Sequence, residues 1–378
     1  MNDAISMARI MPCRRWGEKA VSLFDRDKSA ERMPVSLITG FLGSGKTTLL
    51  NHILRHPGMA DSAVIINEFG EIGLDHLLIA PISGEVAVMA NGCVCCTVRS
   101  DLEETLRGLL AQRDAGDIPR FNRVLVETTG LADPAPIVQM LLNNPLISHF
   151  ARLDAVVTTV DAVHGVAQLD TRREAVKQAA LADRLLLTKT DLADPLDLTA
   201  RLRALNPAAP ILEVRDGAVD PASLFGAALF DPAAKSADAR RWLNEEAYHD
   251  HDHAHDHHHG HTHGVAAFCL TFDQPLDWDA VSRWLAALRQ WRGEALLRVK
   301  GILALREEDG PVVIHGVHHI FHPPVRLPIW PDPDHRSRIV FITLGLERAE
   351  VVASAEEYGL MICHTKSDEF HDKIQQRL

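Results

Sequence analysis

Residues 40–47 read Gly-Phe-Leu-Gly-Ser-Gly-Lys-Thr, a full match to G-x-x-x-x-G-K-[ST]. Gly40, Gly43 and Gly45 let backbone N–H groups close around phosphate oxygens with no Cβ in the way. Ser44 and Thr48 are expected to complete the nucleotide contacts. Lys46 is expected to reach the β and γ phosphates and Thr47 to ligate Mg²⁺ through its hydroxyl. The flanks agree: Val35–Thr39 is short, apolar and β-favouring, and Thr48–Leu54 carries apolar residues at helical spacing. Strand, glycine loop and helix is the context this motif needs, because the helix N-terminus turns its positive dipole end toward the anion.

Base identity is read from Thr188-Lys189-Thr190-Asp191, which follows the apolar run Leu185-Leu186-Leu187. The Asp191 carboxylate can accept from guanine N1–H and the exocyclic amine, whereas adenine offers an acceptor at N1 and no amine beside it. Hydrogen bonds to a charged group are worth about 1.5–3 kcal/mol each, so the predicted ligand is GTP rather than ATP. Lys189 is expected along the base plane. Asparagine is usual where Thr188 stands, and one contact is expected to weaken. Between these motifs an apolar strand ends in Glu127-Thr128-Thr129-Gly130. Glu127 stands where an NTPase keeps the acid that holds Mg²⁺, and Gly130 where a backbone N–H senses the γ phosphate. Lys46, Thr47 and Glu127 are thus the predicted catalytic set. No residue reads as a water-orienting base or an arginine finger, so slow intrinsic turnover is expected.

A second chemistry sits in Cys93-Val94-Cys95-Cys96, which holds three of the six cysteines. Thiolates select soft ions such as Zn²⁺ and Cu(I). In an extended segment Cys93 and Cys95 face one way and Cys96 the other, so all three converge only if the chain turns after Asn91-Gly92. A tetrahedral ion would take a fourth ligand from a carboxylate or water. The acidic segment Asn67–Asp75 offers Glu68 and Glu71. The alternative is a buried or redox-reactive cluster. Farther on, His249, His251, His253, His255, His257, His258, His259, His261 and His263 alternate largely with Asp and Gly. That tract is too polar to form a core, and it reads as an auxiliary, loosely structured metal-loading segment. His315, His318, His319 and His322 form a weaker candidate patch.

The elements that must position these groups alternate. Strands are expected at 35–39, 63–67, 86–90, 123–127, 155–160, 184–188 and 210–214. Helices are expected at 46–56, 100–112, 134–143, 172–182 and 196–205. This predicts an α/β P-loop NTPase domain with a mostly parallel sheet and ligands at the strand C-terminal ends. After Gly264 strands near 266–272, 296–303, 311–319 and 338–344 accompany helices near 278–291 and 347–358, a smaller α+β domain. Trp278, Trp284 and Trp291 within it read as core or interdomain packing. The predicted organisation is an N-terminal extension over 1–33, ahead of the start-like Met33-Pro34-Val35; a nucleotide-binding domain over 34–230; a His-rich linker over 231–264; the C-terminal domain over 265–360; and a tail over 361–378. The chain has 378 residues and a net charge of −12, which argues against nucleic acid or an anionic membrane as the main partner. No run of about eighteen apolar residues occurs, and residues 1–33 lack a continuous apolar signal core. A cytoplasmic location is expected.

These motifs together resemble the CobW-type GTPases, a metallochaperone family within the P-loop proteins. The resemblance is carried by Gly40–Thr47, Asn67–Asp75, Gly92–Cys96, Glu127–Pro134 and Thr188–Asp191, and it spans about residues 34 to 345. Thr188 and the N-terminal segment are departures. The resemblance implies delivery of Zn²⁺ or Co²⁺ to a client metalloprotein driven by GTP, and a homodimer is among the expected assemblies. It also extends to proteins of cobalamin synthesis and nitrile hydratase maturation. Two other classes stay open: a passive zinc buffer built on the His tract, and a P-loop kinase for a small molecule, which would have no use for Asp191 or the cysteines.

Overall fold

The computed structural model describes residues 32–67, 98–226, 248 and 264–363. Glu68, Glu71, Cys93, Cys95, Cys96, the expected strand at 86–90 and the histidines of 249–263 lie outside the described residues.

The first half is a parallel sheet. Its strands are β1 (Met33–Gly40), β2 (Ser62–Asn67), β3 (Arg123–Thr128), β4 (Ala151–Asp161), β5 (Arg184–Thr188) and β6 (Ile211–Val214). Their spatial order is β2-β3-β1-β4-β5-β6, with every pairing parallel. Parallel strands need crossovers, and helices supply them: α1 (Lys46–Ile53), α2 (Val98–Ala115), α3 (Ala135–Asn143), α4 (Pro145–Phe150), α5 (Gly165–Thr171), α6 (Arg173–Leu181) and α7 (Leu196–Leu205). Strand side chains alternate between faces, and both faces are covered. Val35, Leu37, Val124 and Val126 pack with α2 and α3, while Ile38, Leu125 and Val64 pack with α1. The order reverses across β1, whose neighbours β3 and β4 are both later strands, so the loop after β1 opens at a switch point of the sheet.

The second half is an antiparallel sheet of β7 (Val265–Phe272), β8 (Leu296–Leu303), β9 (Val312–Val317), β10 (Ile320–Phe321), β11 (Val325–Arg326) and β12 (Ser337–Leu344). Its order is β10-β9-β8-β12-β7, with β11 paired to β9. One face is covered by α8 (Trp278–Arg292) and α9 (Arg348–Glu356). Trp284 is fully buried there beside Phe272 and Phe341, and its indole N–H donates to Ser354 at 2.9 Å. Trp278 is partly buried against the same core. Trp291 departs from the expectation, for it stands 53% exposed at the end of α8.

The other face of this sheet meets the first domain. Asp183, in the turn between α6 and β5, is buried and 2.7 Å from both Arg298 and Lys300 of β8. It also accepts the Val156 N–H at 2.9 Å. Arg298 donates to the Leu181 carbonyl as well. Burial pushes the Asp183 carboxyl up, but Arg298 and Lys300 outweigh it and hold it well below the usual carboxylate range. Burial and the Arg298 charge push the Lys300 ammonium down to about 8.

The expected strand at 311–319 is shorter, because His318 takes a left-handed φ of 51° and turns the chain into β10. Among the four candidate histidines the His322 backbone N–H donates to the His315 carbonyl at 2.8 Å, so those two are neighbours. His315 is buried in β9, His318 Nδ1 lies 2.9 Å from the Glu294 carbonyl, and His319 is exposed. No group of three or more metal-ligating side chains occurs among the described residues. Nor is any described helix long and apolar enough to cross a membrane.

Candidate functional site

The site forms where β1, β3, β4 and β5 end. β1 stops at Gly40 and α1 begins at Lys46, so residues 41–45 form a loop under a helix N-terminus. Gly45 caps the helix with φ 93°, a conformation that disfavours any residue with a Cβ. No side chain caps the first turn and no acid lies in it, so its N–H groups stay available to an anion. Lys46 is buried and reaches back across the loop, donating to the Gly40 carbonyl at 2.9 Å and the Phe41 carbonyl at 3.1 Å. Its charge is thereby held inside the concavity where phosphates would sit.

Thr47 and Glu127 come together although eighty positions separate them. The Thr47 hydroxyl donates to Glu127 Oε1 at 2.9 Å, and Glu127 is buried at the end of β3. A hydroxyl beside a carboxyl group is a hard-oxygen donor set, which suits Mg²⁺. Next along the chain Gly130 lies against the loop. A Cβ on it would stand 2.6 Å from the Leu42 backbone nitrogen, so the segment after β3 can approach the loop this closely only with glycine.

Thr188 ends β5 and is buried. Its hydroxyl donates to the Ser44 carbonyl at 2.9 Å, with the Val160 carbonyl 3.3 Å away, and its methyl lies 3.4 Å from the Cβ position of Gly45. Threonine thus ties the strand to the phosphate loop directly. Ser44 is braced on its side chain too, its Oγ lying 2.7 Å from Thr159 Oγ1. Thr48 lies in the first turn of α1, two residues after its start at Lys46. Lys189 follows with a left-handed φ of 58°, and Asp191 is exposed to solvent.

Several groups that hold the site were absent from the sequence reading. Asp161 ends β4 and accepts from Lys189 Nζ at 2.6 Å, from the Val163 N–H at 2.8 Å and from His164 Nδ1 at 3.1 Å. Burial raises its carboxyl, yet the bonds from Lys189, His164 and Val163 prevail and leave it lowered. Its signal was present, since an apolar strand ending in an acid is the same pattern that picked out Glu127. Gln178 of α6 is buried and donates to the Gly130 carbonyl at 3.2 Å and the Ala132 carbonyl at 2.9 Å. Its neighbour Lys177 pairs with Asp133 at 2.6 Å. Nothing local in the sequence marks these two, because the contact spans forty-odd positions and depends on how α6 packs.

The loop, the buried acid and the β5 motif thus converge, whereas the expected thiolate ligands belong to a segment outside the described residues. That segment leaves β2 at Asn67, whose register partner on β3 is Thr128, one residue past Glu127.

Comparison with known proteins covers both halves of the chain. Residues 34–213 match the CobW/HypB/UreG nucleotide-binding domain, and residues 265–357 match the cobalamin synthesis protein cobW C-terminal domain. The chain is 35% identical over 321 residues to the zinc chaperone YjiA of Escherichia coli, covering 85% of this chain and 96% of that protein. It is 34% identical over 365 residues to the zinc chaperone CobW of Pseudomonas aeruginosa, covering 86% and 91%. The crystal structure of Zn(II)-bound YjiA GTPase from E. coli superimposes with a TM-score of 0.64 at 31% identity, over 87% of this chain and 99% of that one. With both modules matched in order around the site just described, the chain belongs to the CobW family of P-loop nucleotide-binding proteins.

Proposed function

We propose that this chain is a GTP-hydrolysing metallochaperone that takes Zn²⁺, or Co²⁺, as cargo and releases it to a client apoprotein. The observation that supports this reading best is a shared launching point. The 68–97 segment, which carries Glu68, Glu71, Cys93, Cys95 and Cys96, departs from β2 in register with Thr128. Glu127 and Gly130, the groups that would respond to the γ phosphate, sit on the adjoining strand end. In this reading a thiolate site on that segment is coupled to the nucleotide. Names of relatives point the same way, since two whole-length relatives are called zinc chaperones.

In this reading Lys46 leaves the Gly40 and Phe41 carbonyls to pair with the β and γ phosphates. The Gly130 N–H meets the γ phosphate, while Gln178 steadies the Gly130 and Ala132 carbonyls behind it. Thr47 and Glu127 would hold Mg²⁺, which when bound neutralises charge on the phosphate oxygens. Water attacks the γ phosphorus, the bond to the bridging oxygen breaks, and GDP and phosphate result. Loss of the γ phosphate frees the Gly130 segment and loosens the thiolate site.

The base contact gives a direct expectation. GTP should bind at least about tenfold tighter than ATP, since even one charged hydrogen bond is worth that much. Asp191→Asn should erode the preference. Fluorescent-nucleotide competition reads both, and equal affinity of the wild type for GTP and ATP would remove the guanine assignment.

The cargo site has its own test. Replacing Cys95 and Cys96 together by serine should abolish tight Zn²⁺ or Co²⁺ binding and leave GTP affinity in metal-free buffer unchanged. Zinc retained at wild-type affinity would transfer the site to other ligands, the His tract first among them, and the passive-buffer reading would gain.

A further inference from the structure

Beside the nucleotide site a cleft of about 1010 Å³ runs between the two domains. One wall is the segment after Gly130 together with the start of α6; the other is the C-terminal end of α8. Two large apolar side chains stand exposed on its opposite walls, Leu131 at 57% and Trp291 at 53%. Neither serves a core: burial on the α8 side is carried by Trp284.

Charge in the cleft runs against the rest of the chain. The protein carries 51 acidic and 39 basic residues, whereas the cleft holds four cations, Arg173, Lys177, Arg289 and Arg292, against three carboxylates. Lys177 is engaged by Asp133, and Arg292 lies over the Trp291 ring at 5.0 Å with Glu350 at 3.6 Å. Arg173 and Arg289 are exposed and make no ion pair among the described residues. Two uncommitted guanidinium groups beside two exposed apolar groups suit carboxylates flanking an apolar anchor. Arginine is also the cation that tolerates desolvation at an interface best.

The wall is connected to the phosphate site. Leu131 lies between Gly130 and Ala132, whose carbonyls Gln178 holds, and Gly130 rests on Leu42 of the phosphate loop. Any displacement of Gly130 on γ-phosphate loss moves Leu131 with it.

We propose that this cleft is the docking surface for the client protein, engaging an acidic segment with an apolar anchor, and that its affinity changes with the bound nucleotide. The proposal rests on the metallochaperone reading for the identity of the partner, but the surface itself does not need the thiolate site.

A fluorescein-labelled peptide alternating glutamate and leucine is the probe. Anisotropy is measured on the full chain in metal-free buffer with a non-hydrolysable GTP analogue and with GDP. The expected result is saturable binding that differs between the two nucleotides. It should fall at least about tenfold in R173E/R289E, as for loss of charge complementarity at an interface. Trp291→Ala should weaken it as well. The double variant should melt as the wild type does and bind GTP equally well, and it should prefer a lysine–leucine peptide. Equal peptide binding by wild type and R173E/R289E overturns the proposal, as does absence of binding, identical affinity in both nucleotide states, or preference for an oligothymidylate of equal charge. Peptide binding that survives in a protein with no tight metal site would sink the chaperone reading and leave the docking surface standing.

Discussion

Asp183→Asn is expected to destabilise the protein by about 3–5 kcal/mol, the usual cost of removing one partner from a buried ion pair. The carboxylate is buried between Arg298 and Lys300 and also accepts the Val156 N–H. Asparagine keeps an acceptor but leaves two cations facing each other at the interface between the sheets. The sign with pH is fixed by the lowered Asp183 carboxyl. A carboxylate whose folded pKa is depressed contributes stability that is complete above its unfolded value of about 3.9 and is lost as pH falls through the folded value. The wild-type advantage should therefore be constant between about pH 5 and 7 and shrink only in stronger acid. Denaturant titration of both proteins over that range checks it. A difference below about 1 kcal/mol, in the range of an exposed pair, would contradict the assignment. Arg298→Met added to Asp183→Asn should recover part of the loss, because it removes one of the two stranded charges.

Lys46→Ala is expected to lower GTP affinity by about 10²- to 10⁴-fold, since two charge-assisted contacts of about 1.5–3 kcal/mol each are lost, and GDP affinity by about 10- to 10²-fold, since only the β-phosphate contact exists there. The nucleotide-free fold should persist, for the lysine's present bonds are to loop carbonyls that water can satisfy. Calorimetric titration with GDP and thermal melting of the free protein separate the two effects. Affinity within about threefold of wild type would show that the phosphates are held elsewhere.

The sequence made the parallel sheet legible because its strands are continuous apolar runs with motifs at their ends. The expected strands at 35–39, 63–67, 123–127, 155–160, 184–188 and 210–214 all appear within a few residues of the observed limits. The short helices α4 and α5 were not anticipated. Each is a turn or two long, too brief to show a period, and α4 is defined by Asn144 accepting from the Leu146 and Ile147 N–H groups. The hairpin at His318 was read as one strand, since nothing in Val317-His318-His319 signals a left-handed turn as glycine or asparagine would. Within the site, contiguous motifs were visible and long-range braces were not. Thr188 illustrates the difference: as a departure from asparagine it predicted a weaker contact, yet its hydroxyl reaches the Ser44 carbonyl across the fold. Gln178 and the Asp133–Lys177 pair belong to the same class.

These braces give the nucleotide a physical route beyond its own loop. Gln178 grips the segment after Gly130, and three residues later the Leu181 carbonyl accepts from Arg298 of the second sheet. A single short helix is thus attached to both the phosphate-facing segment and the C-terminal domain. A contiguous set of contacts permits coupling and does not by itself demonstrate it. The demonstration is an affinity difference, and by reciprocity metal must then tighten GTP by the same factor that GTP tightens metal.

Zn²⁺ affinity should therefore be measured by competition with a chromophoric chelator, once with a non-hydrolysable GTP analogue and once with GDP. Couplings of about 1–3 kcal/mol are usual, so the account predicts an affinity about 5- to 150-fold higher in the GTP-like state. Identical affinity in the two states would contradict it, leaving a nucleotide-binding protein that merely carries cysteines.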